Sequence, residues 1–385
     1  MKLAWVADVH LASHKVMGGE QVEPGLNRRG VLVRDTLMLA YDMAMKEKCD
    51  ALIVNGDLFD TARPPAQHIA EVQRIVACYP DIQTFILLGN HEMESDVPGD
   101  NALGPLKPVA TVIEKAKRLL IKPAARGAGR MDSVELWAVP FRPGEAAEWL
   151  PVVLAEMQGL PASGSPASST RVLALHLGLQ DGKTPPWLKD SHDSVEVGLV
   201  QELMKRYDID ACYMGNWHDP KEVVYHDVDR SVTSALRIVQ IGTLCPTGWD
   251  NPGLGFGTMA FFDSLKDKNC ELARVPGPRF VSSVKEAQEA LKDGCTPFVR
   301  LKEAPEDMEK AHASAEKLTQ AGATVEVLPD TGEAQAALRT AAGVARSAET
   351  VEDAVAAYVG QMPLDEGVDR AAVLARVRDF LGGTA

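Results

Sequence analysis

Five short polar clusters interrupt an otherwise apolar pattern over the first 218 residues, and their side chains are of the kinds that hold divalent metal ions. They are Asp8-Val9-His10, Gly56-Asp57-Leu58-Phe59-Asp60, Gly89-Asn90-His91-Glu92, His176 closing Leu173-Ala174-Leu175-His176, and Gly215-Asn216-Trp217-His218. Carboxylate, imidazole and amide oxygen in one set suit Mn²⁺, Fe or Zn²⁺ better than Ca²⁺, whose sites are built from oxygen alone. Each cluster by itself has an ordinary explanation. Gly-Asp and Gly-Asn are common turn dipeptides, and a lone histidine after a strand is more often a hydrogen-bonded structural residue than a ligand. Glycine before Asp57 and Asn90 permits a tight turn and a close backbone approach to a bound group. Asp8 and His10 project to the same side if strand geometry continues through them.

The elements that must carry these clusters are short runs rich in Val, Ile and Leu at residues 3–7, 51–55, 84–88, 134–139, 171–175, 211–214 and 238–241. Helical patterns at 31–48 and 66–78 lie between them, so the expectation is a layered α/β sheet with its strands buried between helices. Every cluster sits directly behind one of the strand-like runs. Strand carboxyl ends in α/β sheets are where ligand sites assemble, because the loops there converge on a rigid support.

The stretch 161–170, PASGSPASST, reads as an exposed connecting loop. A boundary is expected near 264–269, after a strand-like segment at 258–263. Beyond it the chain reads as strand 271–275, helix 284–292, strand 297–301, helix 306–321 and strand 323–328, a compact second α/β unit. From 333 onward only helical patterns remain, and 368–381 is amphipathic, fit for a surface helix or for docking on a partner. The expected division is 1–265, 266–330 and 331–385.

Among 385 residues there are 54 Asp and Glu against 40 Lys and Arg, a formal charge of −14, which argues against a protein that coats nucleic acid through a broadly basic surface. A local cationic site stays compatible with that balance. The six cysteines are scattered with no CxxC pair, which indicates neither a zinc knuckle nor a disulfide framework and fits a reducing cytoplasm. Asp8 interrupts the first apolar run too early for a signal peptide, and no later run approaches a membrane span.

In order and context, the motifs DxH, GDxxD, GNH(D/E), a strand-end His and GHxH resemble those of the calcineurin-like metallophosphoesterases, over about the first 265 residues. The resemblance implies a layered β-sandwich flanked by helices and two divalent cations. Asp8, His10 and His218 would hold one ion, Asp57 would bridge to the second, and Asn90 and His176 would complete the second, with Mn²⁺ the first expectation. It implies hydrolysis of a phosphoester without a covalent enzyme intermediate. His91 matches the family histidine that approaches the scissile phosphate, with a structural hydrogen bond as its plainer role. Asp60 and Glu92 are expected to orient ligand histidines. One position departs from the pattern: Asn216 stands where the first histidine of GHxH is expected. An amide oxygen can coordinate Mn²⁺ or Mg²⁺ but is a poorer ligand than imidazole for most transition metals, so a weakened second site is expected.

The wording Gly56-Asp57-Leu58-Phe59-Asp60-Thr61-Ala62-Arg63-Pro64, Asp8-Val9-His10-Leu11 and Ile241-Gly242-Thr243-Leu244-Cys245 resembles the SbcD/Mre-type DNA repair nucleases more narrowly. That resemblance implies a DNA endo- and exonuclease subunit, homodimeric, with a smaller α/β capping domain and a helical tail that binds a coiled-coil ATPase of the SbcC or Rad type. It also places the loop after DxH on DNA, which makes His14, Lys15, Arg28 and Arg29 candidate phosphate contacts, against a merely solvated loop. Trp217 stacks on a base or packs against the sheet, with packing favoured. The competing functions are a stand-alone phosphodiesterase or phosphatase acting on a small substrate, and a DNA-end scaffold crippled by Asn216.

Overall fold

The computed structural model describes residues 1–97, 99–123, 133–159, 170–184, 188, 191–225, 236–249, 256–264, 270–304, 307–330 and 372–373. The expected loop at 161–169, the boundary residues 265–269 and the helical tail beyond 330, apart from 372–373, lie outside the described residues. Among the described residues there are six α-helices, and no helix is long and apolar enough to cross a membrane. Contacts divide the chain into a unit of Met1–Val299 with Leu318–Val325 and a unit of Arg300–Lys317 with Glu326–Ala385.

The first unit is a mixed α/β sandwich of two six-stranded sheets. One sheet runs in the order Cys270–Val275, Gly257–Asp263, Lys2–Val6, Ala51–Asn55, Gln83–Leu87, Thr111–Ile113. Its last four strands are parallel, and Gly257–Asp263 joins Lys2–Val6 antiparallel. The other runs Lys221–Tyr225, Leu236–Gln240, Ala211–Gly215, Thr170–His176, Val134–Val139, Lys117–Ile121, parallel in the middle with an antiparallel strand at each edge.

Strand alternation sorts the side chains into three apolar layers. Leu3, Trp5, Ile53, Leu87, Leu136, Ala174, Tyr213, Val239 and Phe262 meet between the sheets. Trp5 stacks on Tyr213 there, ring centroids 4.3 Å apart and 5° from parallel. Ala4, Val6, Leu52 and Val54 face the other way, against the helices Arg28–Lys46 and Ala66–Cys78. The second sheet packs its outer face on the helices Ala146–Gly159 and Val197–Arg206. Burial on both faces is why the central strands read as unbroken apolar runs.

Several elements differ from the sequence reading. The strand expected to open the second α/β unit, Cys270–Val275, instead pairs antiparallel with Gly257–Asp263 and extends the first sandwich sheet. The small sheet is built from Pro278–Val281, Thr296–Glu303 and Thr324–Pro329, the first of which carries too few apolar residues to stand out. The first helix starts at Arg28 rather than at 31, because the Asn27 side chain accepts from the Gly30 N–H at 3.0 Å and caps it.

Asn55, fully buried at the end of its strand, hydrogen-bonds the two sheets together. Its Nδ2 donates to the Leu175 carbonyl at 2.8 Å and to the Tyr213 carbonyl at 3.1 Å, on two strands of the opposite sheet. Asn55→Ala leaves two buried carbonyls without this donor and is expected to cost about 2–4 kcal/mol. Urea unfolding of the purified protein checks it, and a midpoint unchanged from wild type would show that the bridge contributes nothing.

Candidate metal centre

The loops behind five strands converge on one point at the carboxyl edge of the sandwich. The strand Lys2–Val6 ends before Asp8, and Asp8 and His10 do not continue its geometry. Both take left-handed backbone conformations, φ 52° and 51°, so a turn and not strand alternation aims them together. That loop is laced to the one after Ala51–Asn55: the Asp8 N–H donates to the Gly56 carbonyl at 3.1 Å and the His10 N–H to the Asp57 carbonyl at 3.0 Å. Asp57 (φ 51°) and Asn216 (φ 84°) are left-handed as well. Such conformations cost energy in residues with a side chain and persist where the surroundings enforce them.

Two glycines make the approach possible. A Cβ on Gly56 would lie 2.0 Å from His176 Nδ1, and one on Gly89 would lie 2.1 Å from Asp57 Oδ1. Glu92 ties the same loops together. Its Oε2 accepts from the N–H groups of Asp57 (3.2 Å) and Gly89 (2.9 Å), and its Oε1 from that of Phe59 (2.8 Å). The expectation that Glu92 orients a histidine is therefore corrected: it is fully buried and holds backbone.

Three groups of potential ligands result, with ligand atoms within 4.8 Å of one another in each: two deep ones, Asp8, His10 and His218 beside Asp8, Asp57 and His176, and a more exposed one of His10, Asp60 and His91. Asp57 Oδ2 stands 3.4 Å from His176 Nε2 and 4.0 Å from His10 Nε2, between the two deep groups. His10 Nε2 and His218 Nε2 are 3.1 Å apart, and His218 Nε2 is 3.8 Å from Asp8 Oδ1. Asn90 Oδ1 lies 3.1 Å from His176 Nε2. Two of the histidines are held from behind through Nδ1, His176 by donating to the Asn55 carbonyl at 2.7 Å and His218 by reaching Thr247 Oγ1 at 3.5 Å, while His10 Nδ1 faces Asp60 Oδ1 at 3.3 Å. All three thus present Nε2 inward, the arrangement that metal-binding histidines adopt.

Burial pushes the Asp8 carboxyl up to about 6, against the pull of His176 and with Asp57 adding to the rise. Burial acts the same way on Asp57, but His176, His10 and His91 outweigh it and hold that carboxyl well below the usual range. Burial disfavours a charged His176, yet Asp57 and Asp8 lift it to about 10. Burial, then Asp57, pushes Glu92 up to about 8. Neither Asp8 nor Asp57 is paired with a lysine or arginine among the described residues. Two buried carboxylates so placed need positive charge from imidazolium or from cations, and the mixed oxygen and nitrogen donors fit two divalent transition-metal ions.

The sequence profile of the calcineurin-like phosphoesterases matches residues 1–220. The chain belongs to that family. Solved structures with partial similarity include a putative 5′-nucleotidase from Staphylococcus aureus, 18% identical over 71% of this chain and 54% of that one, TM-score 0.41. A purple acid phosphatase from yellow lupin is 11% identical over 71% of this chain and 51% of that one, TM-score 0.41. A dimetal phosphatase from Danio rerio is 11% identical over 68% of this chain and 92% of that one, TM-score 0.37. The chain thus spans about half the length of the first two.

Other residues of the chain fall less uniformly. His91 is exposed at the mouth, with Nδ1 3.3 Å from the Asp60 carbonyl and its N–H donating to Asp57 Oδ1 at 3.0 Å. His14 does not serve as a cation for phosphate: burial, then Arg29, pushes it down to about 4, and its Nε2 is buried. Arg29 is also structural. Its guanidinium lies 4.8 Å from the Phe280 ring centroid and donates to the carbonyls of Val16 and Thr247. Arg28 is exposed but donates to the Gly322 carbonyl at 3.2 Å. Trp217 packs against Gly178, where a Cβ would meet its ring at 2.2 Å.

Sequence reasoning missed Asn55, Thr243 and Asp193. Thr243 Oγ1 donates to the Asp8 carbonyl at 2.7 Å, and Asp193 accepts from the Asn216 side chain. Asn55 left a signal as a polar residue ending the strand ALIVN, and Thr243 lies within the motif Ile241–Cys245, which gave no sign of its bond to Asp8.

Two outcomes follow for metal binding. With His176 lifted to about 10, a cation entering at about pH 7 must displace its proton, so the heat of Mn²⁺ binding is expected to vary with the ionisation enthalpy of the buffer. Heats independent of buffer would contradict a protonated His176. Asn216→His is expected to raise affinity for Zn²⁺ more than for Mn²⁺, because imidazole replaces a harder oxygen donor. Competitive titration with both ions measures the shift.

Proposed function

We propose that the chain is the nuclease subunit of a DNA end-processing complex, hydrolysing DNA phosphodiester bonds with two divalent cations, Mn²⁺ first among them. The observation that carries the two-cation reading is Asp57 Oδ2, set between a ligand group of Asp8, His10 and His218 and another of Asp8 and His176. DNA as the substrate is supported by the motif wording at Gly56–Pro64 and Ile241–Cys245 and by the small three-stranded α/β sheet with the helix Val284–Lys292. A homodimer working with a coiled-coil ATPase of the SbcC or Rad type completes the proposal on the same resemblance.

Asp8, His10 and His218 would hold one ion, Asn90, His176 and Asn216 the other, with Asp57 shared. When bound, the pair supplies a Lewis-acid clamp for phosphate oxygens and lowers the pKa of water toward neutrality. The protein contributes the rest. Asp8, Asp57 and His176 form a buried floor, while Asn90, Asn216 and His218 are partly exposed and leave the site open to a phosphodiester. Four positive charges against two carboxylates keep the site cationic within an acidic chain, so the anionic substrate is attracted locally. His91, with its Nδ1–H facing the Asp60 carbonyl, offers Nε2 to the leaving oxygen, and when the ring is protonated on both nitrogens it can deliver the Nε2 proton there and return to the neutral ring.

The test is cleavage of hairpin, single-stranded and duplex DNA with Mn²⁺ or Mg²⁺, beside a nitrophenyl phosphodiester and a cyclic nucleotide. His91→Ala is expected to lower the rate on DNA about 10²–10⁴-fold with Mn²⁺ stoichiometry unchanged, and Asp57→Ala to abolish both. Turnover of the small diesters with DNA left intact would replace the nuclease by a small-substrate phosphodiesterase. Absence of cleavage with any substrate would leave the scaffold reading.

A further inference from the structure

We propose that Asp193 is a positioning residue that fixes the Asn216 amide as an oxygen ligand, and so makes the Asn90, His176 and Asn216 side of the centre selective for hard divalent cations such as Mn²⁺. The inference rests on the two-cation reading above.

Asn216 Nδ2 donates to two atoms of Asp193, the carbonyl oxygen at 3.1 Å and Oδ2 at 2.9 Å. Both are acceptors only, so the atom facing them must be the NH₂ group. The orientation of the amide is thereby decided by chemistry, and Oδ1 is turned away from Asp193. The Asn216 backbone is pinned at the same time: its N–H donates to both Asp8 carboxylate oxygens at 3.1 Å. The residue is clamped from two sides, with Oδ1 the polar side-chain atom left for a ligand. Hydrogen bonding of the NH₂ to a carboxylate also pushes electron density toward Oδ1, as outer carboxylates do for ligand histidines.

Asp193 is itself held in place. Its carbonyl accepts from the Gly178 N–H at 3.0 Å, its Oδ1 accepts from Ser191 Oγ, and the next residues, Ser194–Glu196, pair in parallel with Gly178–Gln180. Gly178 lies two residues beyond His176 and packs against Trp217, the neighbour of Asn216. One small ribbon therefore couples the segment carrying His176 to the residue that aims Asn216. On this side the donors are oxygens of Asp57, Asn90 and Asn216 with one imidazole, a set harder than that of Asp8, His10 and His218.

The experiment is calorimetric titration of Mn²⁺ and Zn²⁺ into metal-free wild type, Asp193→Ala, Asp193→Asn, Asn216→Ala and the double alanine variant, each checked for folding by circular dichroism. Asp193→Ala is expected to weaken the lower-affinity Mn²⁺ step about tenfold or more and to leave the other step unchanged. Asp193→Asn keeps an acceptor oxygen for Nδ2 and is expected to restore most of that affinity. In the Asn216→Ala background, Asp193→Ala is expected to add nothing. A loss from Asp193→Ala of the same size in the wild-type and Asn216→Ala backgrounds would overturn the proposal, as would unchanged binding in Asp193→Ala. A wild type that takes up only one ion would instead sink the two-cation reading beneath it, and a tight second step unaffected by Asn216→Ala would show that the amide is no ligand.

Discussion

Asn55 is the point on which the site's geometry rests. Its side-chain amide joins the first sheet to Leu175 and Tyr213 of the second, and its own carbonyl receives the His176 Nδ1 proton. A sandwich held only by apolar contact can slide, because hydrophobic burial is not directional. The clusters on Lys2–Val6, Ala51–Asn55 and Gln83–Leu87 must nevertheless meet those on Thr170–His176 and Ala211–Gly215 to within tenths of an ångström. Three hydrogen bonds made by one residue set that register directly beneath the ligands, and one of them also fixes the tautomer in which His176 presents Nε2 inward. Trp5 stacked on Tyr213 fills the layer below and keeps water from competing for those bonds.

Above this anchor the backbone is strained. Asp8, His10, Asp57 and Asn216 all have positive φ, although their side chains make that conformation unfavourable. The strain is offset by hydrogen bonds that pass from loop to loop, including Thr243 to the Asp8 carbonyl and the three N–H groups gathered by Glu92. Glu92 shows why sequence position misleads about role. It neighbours His91 in the chain and was expected to serve histidines, yet a buried carboxylate with several donors within reach satisfies the strongest demand present, that of unpaired backbone N–H groups.

The parts of the molecule legible in the sequence were those governed by short-range pattern. Residues 51–55, 134–139 and 66–78 coincide with the observed strands and helix because continuous burial or a 3.6-residue period leaves a direct trace. The polar clusters were legible because each follows such a run. Edge strands such as Lys117–Ile121 and Lys221–Tyr225 were not, since one exposed side removes the apolar signal. Pairings between distant segments were illegible too: nothing near Asp193 announces that it meets Asn216, and the basic residues near the DxH loop gave no sign that Arg29 stacks on Phe280. Positive φ at Asp8 and His10 was likewise hidden, since the two-residue spacing invited a strand reading.

The departure at position 216 gains a physical rationale from the backbone. The N–H of this residue must reach both oxygens of Asp8, and the conformation that allows it, φ 84°, lies where asparagine is among the few residues with side chains to be tolerated. Asparagine thus lowers the strain of the turn while offering an oxygen in place of an imidazole nitrogen. On the two-cation reading, the exchange would weaken affinity for borderline-soft ions more than for hard ones, and so change which cation the centre prefers rather than remove the centre. Asn216 is held at both its N–H and its NH₂, so the turn and the orientation of the amide are fixed together by the carboxylates of Asp8 and Asp193.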